Sequence, residues 1–97
     1  MVNYKIVLYL KAQKELNDSY KWYEKQKIGL GLKLINQVDE DLKSIASNPK
    51  FYPSKGRNYR EFLMKNYPYL IVYKINEATK ELLVSSIFHT KRNPKLK

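Results

Sequence analysis

The side chains best suited to chemistry are cations, aromatic rings and a single histidine, and they lie in the second half of this 97-residue chain. Cations hold phosphates, aromatic rings stack on bases, and an imidazole moves a proton near neutral pH. The types present therefore suit RNA binding or RNA cleavage. The candidate residues are Lys55, Arg57, Tyr59, Arg60, Tyr67, Tyr69, His89, Lys91 and Arg92.

Each of these residue types also has a structural interpretation. Four other tyrosines, Tyr4, Tyr20, Tyr23 and Tyr73, fall on apolar stripes and are expected to pack in the core. His89 is as well explained by a hydrogen-bonded histidine at the end of a strand. Arg57 and Arg60 could pair with Glu61 or Glu81 in surface ion pairs of little consequence. The residues alone leave both interpretations open.

Other kinds of catalytic site lack their residues. Gly29 and Gly31 follow a helical pattern and have no third glycine, so a dinucleotide-binding loop is not expected. The chain has no cysteine, and its lone histidine has no carboxylate cluster near it in sequence, so neither a thiolate nor a metal site is predicted. The remaining nucleophile pairing, His89 with Ser85 or Ser86, uses serines that are better explained as ordinary strand residues. No cofactor is expected.

The net charge of +10 is concentrated in one part of the chain. Residues 1–41 carry seven Lys or Arg against six Asp or Glu, whereas residues 42–97 carry twelve against three. Lysines that merely keep a domain soluble do not explain such an asymmetry. It favours nucleic acid or an acidic protein segment as the partner of the C-terminal half.

Length and composition predict one folded domain spanning residues 1–97, because the chain is too short for two independent cores. The hydrophobic fraction is 43% and the aromatic fraction 13%, which is typical of a folded protein. No apolar span approaches bilayer length, and the N-terminus does not resemble a signal peptide. We therefore expect a soluble cytoplasmic protein without a membrane partner.

Hydrophobic periodicity predicts the elements. Residues 2–9 alternate and indicate a strand, which is expected in the sheet interior because both its faces are partly apolar. Residues 11–27 indicate a helix, residues 28–31 an interruption, and the following residues a second helix that ends at Ser47, Asn48 and Pro49. A loop is expected over residues 48–57, followed by strands over 60–65, 69–75 and 82–88.

This order predicts an α+β two-layer sandwich of β-α-α-β-β-β topology, with a helical hairpin packed on a mostly antiparallel sheet. The short connection between the helices predicts that they lie antiparallel. Two amphipathic helices bury their stripes against one face of the sheet. The other face, or its rim, is left for a ligand.

The sequence resembles the ParE and RelE toxins of bacterial type II toxin–antitoxin modules, a superfamily often labelled plasmid stabilisation proteins. The resemblance covers nearly the whole chain. It is carried by Trp-Tyr-Glu-Lys-Gln at 22–26, Gly-Leu-Gly at 29–31 and Asn-Pro at 48–49, by Arg60, by Tyr-Pro-Tyr-Leu-Ile-Val-Tyr at 67–73, and by His-Thr-Lys-Arg-Asn-Pro at 89–94. The fold implied by the resemblance is the one predicted above.

Two mechanisms follow from the resemblance. RelE-like members cut messenger RNA on the ribosome, and for that activity His89, Arg92 and Arg60 would be the catalytic residues. ParE-like members poison DNA gyrase without chemistry of their own. An arginine of the RNase branch is replaced here by Leu70, and no tyrosine follows His89, so both departures weaken the expectation of cleavage.

The resemblance also implies a small cognate antitoxin as partner. We expect a gyrase-poisoning toxin, with ribosome-dependent mRNA cleavage as the alternative. A nucleic-acid-binding module without toxicity and a degenerate toxin retained for its fold are further alternatives. The residues expected to contact the target or nucleic acid are Lys55, Arg57, Tyr59, Arg60, Tyr69, Lys91 and Arg92.

Overall fold

A computed structural model describes residues 3–91 and contains seven elements, of which the six predicted helices and strands follow in the expected order and the seventh is a short 3₁₀ turn within the predicted loop. They are β1 (Lys5–Leu8), α1 (Leu10–Gln26), α2 (Leu30–Ser47), a 3₁₀ turn (Pro49–Phe51), β2 (Tyr59–Leu63), β3 (Tyr69–Asn76) and β4 (Glu81–His89). The α+β fold with a helical hairpin on one sheet is confirmed. Neither helix within residues 3–91 has the length and apolar character needed to cross a bilayer.

The four strands form one sheet in the order β1-β4-β3-β2. Strands β2, β3 and β4 form the expected antiparallel meander, and β1 joins it parallel to β4. The prediction that the first strand lies in the sheet interior was wrong, because β1 occupies an edge. Some backbone groups at the outer edge of β1 have hydrogen-bond partners outside the sheet. The Tyr4 backbone N–H donates to Ala46 O (3.2 Å), and Gln13 Nε2 donates to Leu8 O (2.9 Å).

The core lies between the hairpin and one face of the sheet. Strand alternation sends every second side chain of β3 and β4 toward the helices, and the amphipathic stripes of the helices meet them. The fully or almost fully buried side chains include Ala12, Leu34, Val38, Leu42, Ile45, Ile71, Tyr73, Leu82, Val84 and Ile87. This face of the sheet is called the helix side below, and the opposite face is called the open face.

The hairpin depends on two glycines with different roles. Gly29 has φ +98°, a left-handed conformation that L residues rarely adopt, and it reverses the chain. Gly31 lies inside α2, where an added Cβ would be 2.7 Å from both the ring and the carbonyl oxygen of Tyr20. The interruption is therefore shorter than expected, because α2 begins at Leu30 and Gly31 allows the helices to approach closely.

The N-terminus of α2 is capped from α1. The Glu24 carboxylate accepts hydrogen bonds from Gly29 N (3.1 Å) and Gly31 N (2.8 Å). These N–H groups have no partner within the helix, and a negative charge at a helix N-terminus is also favourable. Glu24 thus stabilises the short connection that makes the two helices antiparallel.

Candidate functional site

The open face follows from the strand register. Leu63, Leu70 and Phe88 form one row of side chains across β2, β3 and β4, and Glu61, Val72 and Ser86 form the next. A third row contains Tyr59, Lys74, Leu83 and Val7. Together with Lys11, Ser85 and Thr90, parts of these rows line a groove of about 640 Å³. The open face therefore contains a broad groove with a largely apolar floor, bounded on one side by Lys11 of α1.

The open face is nearly neutral, although the chain is strongly basic. Its groove is lined by Lys11 at one side and Lys74 at another, while Glu61 contributes a carboxylate. Leu70 lies in the row of Leu63 and Phe88, so this part of the open face carries apolar side chains instead of cations. This arrangement suits contact with a protein better than contact with a run of phosphates.

Arg60 belongs to the helix side, because it pairs with the buried Tyr73 in the register of β2 and β3. Its Nη1 donates to Tyr52 O (2.5 Å) and to Lys50 O (3.3 Å). Within residues 3–91, the expected ion pairs of Arg60 with Glu61 or Glu81 are not formed. Arg60 therefore holds the turn that follows α2, with only part of its guanidinium left for a ligand.

Lys55, Arg57 and Tyr59 lie together at the outer edge of β2. Lys55 N donates to Tyr59 O (2.8 Å), and Gly56 has φ +66°, so residues 55–58 fold back on the start of the strand. The Tyr59 ring lies close enough to Gly56 that an added Cβ would be 3.3 Å from it. Both cations are exposed, so the structure brings together this part of the expected contact surface.

Tyr69 is fully buried, which corrects the expectation that its ring contacts a target. The alternation of β3 sends Tyr69 into the core together with Ile71 and Tyr73. Its ring meets the ring of His89 edge-on, with 5.3 Å between the centroids, and the ring of Tyr23 at 6.5 Å. A ring in this position stabilises the core and offers no face to a base.

His89 is the last residue of β4 and is half-buried on the helix side. Its Nδ1 accepts a hydrogen bond from Lys91 N (3.1 Å), so a neutral ring carries its proton on Nε2. Lys91 is exposed beside it. Arg92, which was predicted to act with His89, lies outside the described residues.

The register separates His89 from Arg60. His89 of β4 pairs with Tyr69 along one edge of β3, whereas Arg60 of β2 pairs with Tyr73 along the opposite edge of the same strand. Four residues of β3 correspond to about 13 Å along the strand, and the two side chains also lie two strands apart. The structure therefore does not bring together the histidine and the arginine that were grouped as catalytic candidates.

Three cations of this surface were missed by the sequence analysis: Lys11, Lys50 and Lys74. Alternation along β3 predicts that Lys74 shares a face with Leu70 and Val72, so this signal was available. Lys50 was not predictable locally, because its partner is the distant Glu77 at 2.7 Å. Glu77 also accepts from Lys80 and Tyr4, and these hydrogen bonds, led by that of Lys50, lower the pKa of Glu77 to about 2.

The described residues offer no metal centre, because residues 3–91 contain no group of three His, Asp or Glu side chains that could hold an ion. What they contain is an apolar groove, an exposed cationic loop at the edge of β2, and a half-buried histidine at the far end of the sheet. The arrangement is suited to binding a macromolecule, and its candidate proton-transfer group is remote from Arg60.

Solved toxin–antitoxin structures share this fold. The chain is similar to a structure of the chromosomal ParDE system from P. aeruginosa, with a TM-score of 0.76, 18% identity, and coverage of 89% of this chain and 95% of that one. For the intact E. coli RelBE complex the TM-score is 0.70, with 17% identity and coverage of 92% and 99%. For RelBE2 from Mycobacterium tuberculosis it is 0.67, with 14% identity and coverage of 91% and 99%.

Sequence comparison identifies the family. No curated protein sequence matches the chain significantly. The family model for the ParE toxin of the type II toxin–antitoxin system, parDE, matches residues 6–94, which is nearly the whole chain. The chain therefore belongs to the ParE toxin family of type II toxin–antitoxin systems.

Proposed function

We propose that the protein is the toxin of a type II toxin–antitoxin module, that it stops growth by poisoning DNA gyrase, and that a small cognate antitoxin neutralises it. Membership of the ParE toxin family supports the general role. The choice of gyrase rests on the character of the open face and on the separation of the residues that cleavage would need.

The observation that carries the choice is the apolar, nearly neutral open face. Leu70, Val72 and Phe88 contribute to the lining of its groove, and Glu61 adds a carboxylate. An RNA backbone is held mainly by cations, and a carboxylate in the groove repels it. A protein surface, by contrast, is bound through an apolar centre with a few charges at its rim. This composition favours a protein target over messenger RNA.

The positions of His89 and Arg60 favour the same choice. General acid–base catalysis requires the acting groups within hydrogen-bond reach of one substrate. Arg60 donates to backbone carbonyls near the 3₁₀ turn, whereas His89 lies about four residues further along the same face of the sheet and two strands away. A shared cleavage site for this pair would require a large rearrangement, so RNA cleavage remains the alternative.

An antitoxin partner is supported by the similar solved structures, which are of ParDE and RelBE toxin–antitoxin systems. The surface of this chain also suits a segment that folds on binding, because apolar side chains are exposed among cations. Leu63 is 65% exposed at the edge of the open face, and Lys55 and Arg57 lie exposed on the same strand edge. Such a segment gains apolar burial and pairs its acidic residues with these cations.

The test is to induce the gene alone in bacteria and to follow both growth and damage. We expect growth arrest with gyrase-linked DNA breaks and an SOS response, and rescue by co-expression of the antitoxin. In a supercoiling assay the purified chain should inhibit gyrase directly. Truncated messages ending in ribosomal A sites, without DNA breaks, would assign the protein to the RNA-cleaving alternative. Unhindered growth at verified expression would contradict toxicity altogether.

A matched pair of variants tests the role of the open face. Val72→Gln places a polar amide in the groove, whereas Leu32→Gln makes the same kind of change at an exposed position of α2. We expect Val72→Gln to weaken gyrase inhibition about tenfold or more, which corresponds to a loss of about 1.4 kcal/mol in binding free energy. Leu32→Gln should behave as wild type. Equal inhibition by both variants, with both shown to be folded, would place the contact elsewhere.

His89→Ala separates the two mechanisms at a single residue. If the protein cleaves RNA with His89, the variant loses cleavage and toxicity together. Under the proposed gyrase mechanism the variant stays toxic, because the ring of His89 packs edge-on against Tyr69 and lies on the helix side. Loss of toxicity in a variant with wild-type thermal stability and intact gyrase inhibition would argue for cleavage.

A further inference from the structure

The sheet contains a gap at the end of β3. Strand β2 pairs with β3 only as far as Tyr59 and Lys74, whereas β3 continues to Asn76 and pairs there with β4. Within residues 3–91, Ile75 therefore has no strand partner on the β2 side. The chain before Tyr59 does not fill the position, because Asn58 has φ +58° and turns away from the strand direction.

Strand alternation directs the Ile75 backbone into this gap. Lys55 N donates to Tyr59 O, and Glu61 N donates to Pro53 O, so the backbone groups of Tyr59 and Glu61 point outward from the sheet. Those of Arg60 and Phe62 therefore point toward β3, where their register partners are Tyr73 and Ile71. The next backbone N–H of β3 with this orientation belongs to Ile75.

A pocket of about 670 Å³ occupies the gap and is lined by three cations. Their side chains are those of Lys50, Arg60 and Lys74, and the uncharged hydrogen-bonding side chains of Ser54 and Asn58 lie among them. Among the described residues of the lining, Glu77 is the one acidic side chain. Three cations and one carboxylate leave an excess of two positive charges around this pocket.

The cations differ in how far they are already engaged. Lys50 shares Glu77 with Lys80, at 2.7 Å and 3.0 Å. Arg60 uses Nη1 for the turn after α2, which leaves other N–H groups of its five. Lys74 is exposed and forms no ion pair within residues 3–91. The pocket thus keeps charged donors for an anion, and Lys74 is the least engaged of them.

We propose that this pocket binds the phosphate group of a small phosphate monoester, of the class of nucleoside monophosphates. A monoester carries about −1.5 to −2 charges at neutral pH and three acceptor oxygens, which matches the charge excess and the several donors. The volume lies within the usual range for small-molecule sites. Ile75 and Leu83 supply apolar wall for the remainder of the ligand.

A phosphodiester fits less well, because it carries a single negative charge and has no terminal dianion. A ligand in this pocket would contact Lys74, which also lines the groove of the open face. The monoester would therefore lie next to the surface proposed for the protein target. Binding itself needs neither a target nor toxicity, so it is measured on the purified chain and stands or falls separately from the proposed function.

The experiment is a titration of the ¹⁵N-labelled chain with inorganic phosphate and with adenosine 5′-monophosphate at constant ionic strength. We expect saturable shifts of the Ile75 and Asn58 amide signals. Lys74→Gln should weaken binding about tenfold, as expected for one lost charge-assisted hydrogen bond. Lys21→Gln, an exposed lysine of α1, is the matched control and should leave the affinity unchanged. The same spectra show that both variants are folded.

Three results would overturn the proposal. The first is a shift that grows without saturation, which indicates general screening of charge. The second is equal weakening by Lys74→Gln and Lys21→Gln, which assigns the effect to net charge. The third is tighter binding of an oligonucleotide that lacks a terminal phosphate, which would assign the pocket to phosphodiesters.

Discussion

The two faces of the sheet use the same residue types in opposite ways. On the helix side Tyr73 is fully buried and donates to Pro49 O (2.6 Å), and Arg60 donates to Tyr52 O (2.5 Å), so a tyrosine and an arginine hold the backbone of one turn. On the open face Tyr59 and Lys74 lie side by side at the edge of a groove. The difference shows that a residue's face in the sheet, more than its type, decides whether its side chain is buried against the helices or lies at the groove.

This comparison predicts where substitutions act. Changes on the helix side should lower the free energy of unfolding, because they remove buried contacts. Changes at the half-buried or exposed positions of the open face, such as Tyr59 and Lys74, should alter binding and leave stability nearly unchanged. The predictions below test this division, beginning with the largest expected effect on stability.

The largest loss of stability is expected for Gly31→Ala. The added Cβ would lie 2.7 Å from the Tyr20 carbonyl oxygen, which belongs to the backbone of α1 and cannot move aside cheaply. Separating the helices to relieve this clash should cost about 1–3 kcal/mol, the usual range for overpacking. Urea denaturation followed by circular dichroism measures the change.

Gly29→Ala is the control for that experiment. Apart from its chain neighbours, no atom of residues 3–91 lies within 4 Å of a Cβ at Gly29, but its φ of +98° strains any L residue. The cost should be about 1–2 kcal/mol and should come from the backbone alone. A second change at Tyr20 distinguishes the two variants. The Cβ added at Gly31 would also lie 2.7 Å from the Tyr20 ring, so Tyr20→Ala, which removes the ring but not the carbonyl, should partly rescue Gly31→Ala and should not rescue Gly29→Ala. Rescue of both, or of neither, would contradict the assigned roles.

Tyr73→Phe should lose about 1–3 kcal/mol, because it leaves the buried Pro49 carbonyl without its donor. Burial raises the pKa of Tyr73 to about 12, so its hydroxyl remains protonated and donates throughout the neutral range. On the open face Tyr59→Phe should change stability by less than about 0.5 kcal/mol. Thermal and urea unfolding compare the two variants, and equal losses would remove the proposed division between the faces.

The elements of this fold were predictable because their signals are local. Alternation in β3 and the helical period of α2 follow from neighbouring residues, and the structure confirms both the strand and the helix. The edge position of β1 was not predictable in this way, since it depends on a parallel pairing with β4, far away in sequence. Both faces of β1 are partly apolar, yet that pattern does not reveal which strand will be its neighbour.

The candidate site was predictable only in part, for the same reason. The cationic loop near Tyr59 was identified from composition, and the structure brings Lys55 and Arg57 there. The partners of Arg60 were not predictable, because its face depends on the register of β2 against β3. They are backbone carbonyls of the turn after α2 and not the carboxylates of Glu61 or Glu81. Tyr69 was misassigned although alternation placed it with Ile71 and Tyr73, since the basic surroundings suggested a binding role.

The smallest effects on stability are expected at the exposed cluster around Glu77, which connects the turn after α2, the β3–β4 turn and Tyr4. Hydrogen bonds from Lys50, Lys80 and Tyr4 lower the pKa of Glu77 from 4.5 to about 2. A depressed folded-state pKa means that the unfolded chain binds the proton first as pH falls. The contribution of the Glu77 carboxylate to folding stability is therefore fully present above about pH 4.5 and is lost as pH falls toward about 2.

Glu77→Gln tests this pH window. The variant should be less stable than wild type at neutral pH, and the difference should shrink as pH is lowered from about 4.5 toward 2. The hydrogen bonds to Glu77 raise the pKa of Lys50 and of Lys80 above 10.5. The contribution of these two lysines to folding stability is therefore lost only as pH rises through their raised pKa values. Urea midpoints across this range measure the difference. A gap between variant and wild type that does not depend on pH would contradict the electrostatic origin.

Asp41 should show the opposite dependence of stability on pH, so it provides a comparison for the Glu77 test. Burial raises the pKa of this α2 carboxyl, although the hydrogen bond from Gln37 Nε2 (3.1 Å) lowers it in part. The folded chain therefore binds the proton first, and the charged carboxylate costs stability at neutral pH. Asp41→Asn should be slightly more stable than wild type at pH 7, and this advantage should disappear as pH falls and wild type becomes protonated.

Asp39→Asn is the matched control for Asp41, since Asp39 is exposed and forms an ion pair with Lys43 at 3.0 Å. Exposed pairs of this kind contribute little, so this change should give no gain at neutral pH. Opposite pH trends for Glu77→Gln and Asp41→Asn, measured on one protein under one set of conditions, cannot come from net charge, because both variants remove one negative charge. They would show that the surroundings of each carboxyl decide whether its charge stabilises or destabilises the fold.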